Sequence, residues 1–384
     1  MPHPQLLTGA LVLTERGLQH GLGLLINEGR IEGILPEASA PPADATRRVL
    51  PAGSILAPGF IDVQVNGGGG VLFNEHPTAD AARAIAAAHR RFGTTSVLPT
   101  IITDRPEVMR AGFAAVREAM AQPDGGVAGL HLEGPFISLR RPGVHDPARI
   151  RPMTEEDADW LAGIAADLPL LLTLAPEDVA DTYLRRLAAA GVVVSAGHTA
   201  ASAERIAEAL ALGLHGFTHL YNAMPPLAGR EPGPLGAALL DETAWCGIIA
   251  DGVHVHPLSL RLALAARPEN RMLLVTDAMS VLGTDADSFM LYGNRILRRH
   301  GRLEREDGTL AGADLDMAQA VRNAVSLLGC GVERALRMAS TYPAEFMRLA
   351  DRGRIAAGLR ADLVLLSEEV EVLGTWVGGV FAAA

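Results

Sequence analysis

The sequence predicts an α/β protein, a (β/α)8 TIM barrel with a small β-sandwich domain built from both chain termini. Two observations lead there. Short apolar, β-branched runs recur through the middle of the chain, each followed by an Ala-rich stretch with helical spacing. The two ends differ, carrying short alternating runs broken by turn residues. The predicted division gives residues 1–55 and 353–384 to the terminal domain and residues 56–352 to the barrel.

The barrel strands are read from eight runs: Gly59–Asn66, Thr94–Thr100, Gly129–Pro135, Leu170–Glu177, Val192–His198, Gly216–Asn222, Trp245–Gly252 and Arg271–Met279. Most are hydrophobic on both faces, as strands buried in a parallel sheet are. The intervening Asp80–Phe92 and Ala201–Leu212 carry helical spacing and strong helix formers. Eight such units in succession fit a closed barrel better than an open doubly wound sheet. No G-x-G-x-x-G follows the first run, and Gly67–Gly70 reads as a loop of close backbone approach, not a dinucleotide fingerprint. At the N-terminal end, strands are expected over Leu6–Leu13, Leu22–Ile26 and Arg30–Leu35, the last two joined by a turn at Asn27-Glu28-Gly29.

Composition narrows the function. The chain of 384 residues is 49% hydrophobic and 20% charged, ordinary for a globular enzyme, with a formal net charge of −11. Its basic residues occur in scattered pairs such as Arg47–Arg48 and Arg298–Arg299, which argues against a nucleic-acid partner, since phosphate backbones need clustered cations. A small anionic substrate stays open, because one local Arg or His pocket can override bulk acidity. Only Cys246 and Cys330 are present, so no disulfide framework is implied. The N-terminal sequence has no signal-peptide pattern, and no apolar run approaches the roughly 20 residues needed to span a bilayer. A cytoplasmic location without membrane attachment is expected. All 33 Lys-or-Arg positions are Arg. That excludes a Schiff-base lysine, a P-loop lysine and a carboxylated lysine bridging two metals.

The polar residues gather at the strand ends, where barrels do their chemistry. The third run ends in His131-Leu132-Glu133, the fifth in Gly197-His198, the sixth carries His219, and the eighth ends in Thr276-Asp277. One carboxylate and two imidazoles converging on a rim suit a borderline divalent metal such as zinc or iron, and three protein ligands leave a position for water. Asp277 could accept the proton of that water and return it to a leaving nitrogen. The ordinary alternatives are concrete. A lone histidine on an apolar strand is more often a hydrogen-bonded core residue, and His131, two before Glu133 on the same face, fits that description. Asp277 in turn could be a helix N-cap.

Several stretches closely resemble the N-acetylglucosamine-6-phosphate deacetylases of the amidohydrolase superfamily: Pro58-Gly59-Phe60-Ile61-Asp62, His131-Leu132-Glu133-Gly134-Pro135, Thr218-His219-Leu220-Tyr221-Asn222-Ala223-Met224, and Gly247-Ile248-Ile249-Ala250-Asp251-Gly252-Val253-His254. With Val194–His198, Gly229–Gly233 and Val275–Ala278 they run in order from about residue 55 to 280. The resemblance implies Glu133, His198 and His219 as ligands of one divalent metal ion per subunit, zinc first, with iron, manganese or cobalt as alternatives. It implies Asp277 as the catalytic acid and base. The stretch Val144-His145 would meet the substrate acetyl group. Asn222, Ala223, Asp251 and His254 would line the sugar-phosphate site, and Leu315, Asp316 and Met317 would close over the sugar. Arg230 would bind phosphate in the neighbouring subunit of a homodimer. The implied reaction is hydrolysis of the acetamide of N-acetylglucosamine 6-phosphate to glucosamine 6-phosphate and acetate by a metal-activated water. The rivals are the N-acetylgalactosamine 6-phosphate epimer, another amidohydrolase such as an N-acyl amino-acid deacylase, and a catalytically dead barrel serving as a scaffold.

Many amidohydrolases place His-x-His on the first strand to hold a second metal. The tripeptide read at that position is Asp62-Val63-Gln64, and Gln is a poor zinc ligand. With no bridging lysine, a single-metal site is expected. Gln64 has an ordinary alternative too, a hydrogen bond to backbone within the barrel.

Overall fold

The computed structural model describes residues 4–122 and 125–384. Eight parallel strands pair in chain order: Phe60–Val65, Thr94–Ile102, Leu130–Glu133, Leu170–Leu174, Val193–Ala196, Gly216–Phe217, Trp245–Ile248 and Met272–Leu274. The eighth returns to the first just beyond its end, where Val65 pairs with Ala278 in parallel and Asp277 N donates to Gln64 O at 3.0 Å. That seam closes the barrel and sets the strand ends around one rim. Burial on both faces explains why these strands read as unbroken apolar runs: every residue of Thr94–Ile102 and Leu170–Leu174 is buried.

Helices occupy the crossovers. The expected helix Asp80–Phe92 forms over Ala79–Arg90, with Thr78 Oγ1 capping Ala81 N. The expected Ala201–Leu212 forms over Ala203–Ala211, with Ser202 Oγ capping Arg205 N. Both caps accept from one of the first-turn amides that have no helical partner.

The chain ends supply two further sheets. One is six-stranded and sets three C-terminal strands (Val380–Ala383, Val372–Val377, Leu363–Leu366) beside Ile55–Pro58, Leu11–Thr14 and Gly17–Gln19, in that order. The other has the order Arg30–Pro36, Leu22–Asn27, Gln5–Thr8, Thr46–Val49. Leu7 and Leu24 of the second sheet share a buried apolar cluster with Leu56, Leu363 and Trp376 of the first. The single strand expected over Leu6–Leu13 is two strands, one in each sheet. Gly9 makes the break at φ +96°, where an added Cβ would stand 2.8 Å from Leu50 O. The expected turn is present, with Glu28 and Gly29 both at positive φ, as a tight hairpin requires.

One element lay outside the sequence-based reading, which left residues 280–352 without strands. Between the last barrel strand and the helix Met317–Ser326 stands a four-stranded antiparallel meander: Ser288–Leu291, Asn294–Arg299, Arg302–Glu304 and Leu310–Ala313. Its inner residues Leu291, Ile296, Leu303 and Ala311 cluster with Leu72, Ile102, Met279 and Val281 against the rim of the barrel.

Candidate active site

At the rim, Glu133 is the last residue of the third barrel strand, while His198, His219 and Asp277 stand just past the fifth, sixth and eighth. These three lie at φ 49°, 30° and 51°, a left-handed backbone that costs non-glycine residues about 1–3 kcal/mol each and persists only where the surroundings over-determine it. Backbone hydrogen bonds hold two of them there: His198 O accepts from Ser138 N at 2.9 Å and Asp277 O from Ala313 N at 2.9 Å. The reward of the unusual backbone is aim, because each side chain turns inward across the barrel mouth.

The side chains converge. Glu133 Oε1 lies 2.9 Å from His219 Nε2 and 3.2 Å from His198 Nε2, and the two imidazole nitrogens are 3.1 Å apart. Burial by itself would raise the Glu133 pKa, yet its contacts with the two imidazoles outweigh it and hold the carboxyl well below its usual range. Burial would likewise lower His219, and the Glu133 contact more than reverses that.

A divalent cation fits this donor set. His198 Nδ1 bonds the Arg141 carbonyl at 2.9 Å. A carbonyl only accepts, so Nδ1 carries the proton in the neutral ring and Nε2 presents a bare lone pair toward a carboxylate oxygen and a second imidazole. Acceptor facing acceptor is the arrangement a cation relieves. The three ligand atoms all lie within 4.8 Å of one another and the residues are buried. His131, by contrast, is a hydrogen-bonded core histidine, between Thr100 Oγ1 at 3.2 Å and Thr173 Oγ1 at 2.8 Å.

The first strand corrects the sequence reading. Asp62, Gln64 and Asn66 alternate onto one face, as strand geometry dictates, and the pair that reaches the site is Gln64 with Asn66, not Asp62 with Gln64. Gln64 Nε2 lies 3.2 Å from both Glu133 oxygens and 3.2 Å from Asp277 Oδ1, so it bonds these side chains and not the backbone. Asn66 Nδ2 donates to Asp277 Oδ1 at 2.6 Å. Asp62 sits deeper, accepting from Thr276 Oγ1 at 2.5 Å and Thr276 N at 3.3 Å, and burial pushes its carboxyl up to about 7. Polar residues at every second position of an otherwise apolar strand were the signal for Asn66.

Asp277 is no helix cap. Burial, and then the Glu133 charge, push its carboxyl up to about 6, against the lowering effect of His219, then His254 and the Asn66 hydrogen bond. A carboxylate tuned toward neutrality suits a proton carrier. His145 stands beside the ligands, its ring centroid 4.3 Å from that of His198. Thr103 N donates to His145 Nδ1 at 3.3 Å. Burial holds this ring's pKa well below its usual value, and the Thr103 N–H donor at Nδ1 leaves the proton of the neutral ring on Nε2.

The cleft above the cluster is lined by Asn66, Val144, His145, Asn222, Ala223 and His254 together with the rim residues, and by Leu310 and Gly312 of the meander. His254 Nδ1 bonds Asp251 Oδ2 at 2.6 Å, while Asp251 Oδ1 accepts from His254 N at 2.9 Å, so Asp251 orients His254 without lining the cleft. Leu315 and Met317 are buried in the barrel core, and Asp316 caps the helix after them, accepting from Gln319 N at 2.8 Å. The part of this segment that lines the cleft is Leu310 and Gly312. Arg230 is exposed and does not line the cleft of its own chain.

The amidohydrolase family model matches residues 55–382. An N-acetylgalactosamine-6-phosphate deacetylase from Shewanella sp. (strain ANA-3) is 44% identical over 97% of this chain and 94% of its own length. An N-acetylglucosamine-6-phosphate deacetylase from Haemophilus influenzae is 33% identical over 97% of this chain and 98% of its own. Among solved structures, the N-acetylglucosamine-6-phosphate deacetylase of Pasteurella multocida superposes with a TM-score of 0.95 at 34% identity, covering 99% of this chain and 100% of the other. A variant of the Mycobacterium smegmatis enzyme in complex with N-acetyl-D-glucosamine-6-phosphate gives 0.91 at 32%, covering all of both chains. The chain therefore belongs to the amidohydrolase family, and it is a hydrolase whose relatives are hexosamine-phosphate deacetylases.

Asp277→Asn removes the titratable carboxyl and leaves the Glu133, His198 and His219 donors in place. It is expected to keep its metal and lose roughly 10²–10⁴-fold in turnover. Glu133→Ala and His198→Ala are expected to lose metal and activity together. Metal content measured beside turnover checks both, and near-native activity in Asp277→Asn would reassign the base.

Proposed function

We propose that this chain hydrolyses the acetamide of N-acetylglucosamine 6-phosphate, giving glucosamine 6-phosphate and acetate in amino-sugar catabolism. The observation that carries the reading is the buried meeting of Glu133, His198 and His219 beside Asp277 and His145. Glu133, His198 and His219 would hold a divalent ion, zinc first, which would supply the Lewis acidity that makes water nucleophilic near neutral pH. Asp277, held by Asn66 and Gln64, takes the proton as water attacks the acetyl carbon. His145 donates from Nε2 to the acetyl oxygen as it gains negative charge. The carbon–nitrogen bond then breaks, and Asp277 returns its proton to the departing amine. Asn222, Ala223 and His254 support the sugar phosphate, with the phosphate contributing binding energy remote from the chemistry.

Among the described residues lining the cleft none is an arginine, although a phosphate dianion calls for one. This supports a homodimer in which Arg230 of one subunit enters the neighbouring site. Leu227 and Leu240, in the same region of the chain, are 49% and 85% exposed, as residues covered by a second copy would be in a lone chain. The reading places the enzyme in the cytoplasm, and no described helix is long and apolar enough to cross a membrane. It also treats residues 1–55 and 353–384 as one β-sandwich domain beside a barrel of residues 56–352.

A second reading is favoured by a specific observation. The Shewanella relative, at 44% identity, is named for the galactosamine epimer. The two substrates differ only at C4. Acetate release from both hexosamine 6-phosphates decides between them: a higher kcat/KM on the gluco epimer supports the first reading and a higher value on the galacto epimer the second. Activity on neither would reject both.

Arg230→Ala is expected to lower kcat/KM on the phosphorylated substrate about 10–150-fold, the worth of one charge-assisted contact. Slow deacetylation of unphosphorylated N-acetylhexosamine should hardly change. Mixing Arg230→Ala with Asp277→Asn subunits should restore activity in some heterodimers. Equal loss on both substrates, or no complementation between exchanging subunits, would contradict the role.

A further inference from the structure

His145 is carried by neither a barrel strand nor a helix. It sits in a loop two residues after Gly143, itself at φ +56°. Its orientation therefore comes from its neighbours, and the meander Ser288–Ala313 holds it on two sides.

On one side the path runs through Thr103, the residue after the second barrel strand. Tyr292 Oη donates to Thr103 O at 2.5 Å. Thr103 in turn presents its N–H to His145 Nδ1 at 3.3 Å and its hydroxyl to the same nitrogen at 2.7 Å. Those contacts set which ring nitrogen keeps the proton. The tyrosine is itself fixed, because Tyr292 and Gly293 form the two-residue hairpin turn at φ 50° and 78°. The guanidinium of Arg149 lies 4.9 Å from its ring centroid while pairing with Asp104 at 2.5 Å, next to Thr103. On the other side, Arg305 Nη2 donates to Val144 O at 2.9 Å, fixing the peptide that leads into His145.

We infer that the meander is a brace for His145, with Tyr292 and Arg305 as positioning residues that keep its Nε2–H aimed into the cleft. The inference rests on the reading of His145 as donor to the acetyl oxygen. Neither residue lines the cleft, so each acts through the backbone it holds. A donor that must meet a developing oxyanion tolerates little displacement, and kcat should suffer more than KM.

The test is a double-mutant cycle on the metal-loaded enzyme. Tyr292→Phe deletes one hydroxyl and is expected to lower kcat about tenfold, with KM within about twofold and metal content unchanged. In a His145→Gln background the same change should cost nothing further, since the group being positioned is gone. Arg305→Gln should behave alike and serves where Tyr292→Phe fails to fold. Native kcat in both single variants, or equal losses with and without His145, would overturn the inference while leaving the role of His145 intact. Native activity in His145→Gln alone would overturn that role and the inference with it. Failure of both variants to fold would give the meander a purely structural part and also overturn the inference.

Discussion

A carboxylate taken out of water must be compensated by its surroundings, and Glu133, 2% exposed, sets that demand for the whole rim. Its two oxygens meet His198, His219 and Gln64 within 3.2 Å. Each of these comes from a different strand end, so the carboxylate is satisfied only when the barrel is closed in register. The closing seam has the same dependence, for Asp277 arrives beside Gln64 through the pairing of the first and last strands. Folding and the assembly of the chemistry are thus one event. The cluster also stays short of a neutral balance, since the lone pair of His198 faces an anion, and this imbalance gives a cation its purchase.

Around that centre the residues divide their work by depth. Asp62 lies beneath, tying Thr276 to the first strand at the level below Asp277. Gln64 and Asn66 occupy the level of the Glu133 and Asp277 carboxylates and hold Asp277 by its Oδ1. Their amides give the carboxylates a neutral partner. Above them the meander and the Gly143–His145 loop form the upper wall, tied to one another directly by Arg305 and through Thr103 by Tyr292.

Much of this was legible in the sequence, for reasons that can be named. The barrel strands are buried on both faces, so they stand out as apolar runs. Glu133, His198, His219 and Asp277 stand out as the polar residues that end them. The runs overreached at their ends: Gly216–Asn222 was read as strand where the strand is Gly216–Phe217, because His219, Tyr221 and Ala223 all turn into left-handed backbone. Such conformations are imposed by tertiary contacts, and residue type does not announce them. The meander was missed because its strands bury only one face and carry many charges on the other, as Asn294–Arg299 shows. The turn glycines Gly293 and Gly301 were its available signal. The partners of Leu315 and Met317 depend on how the chain packs after the meander, which no local pattern encodes.

The central claim is that Glu133, His198 and His219 hold one divalent ion while Gln64 and Asn66 exclude a second. Anomalous diffraction from crystals of the protein purified without added metal, collected above and below the absorption edge, tests it most directly. The account predicts a single peak per chain, about 2.0–2.2 Å from Nε2 of both histidines and from a Glu133 oxygen. Two peaks per chain, with one bonded to the side-chain oxygen of Gln64 or Asn66, would contradict it.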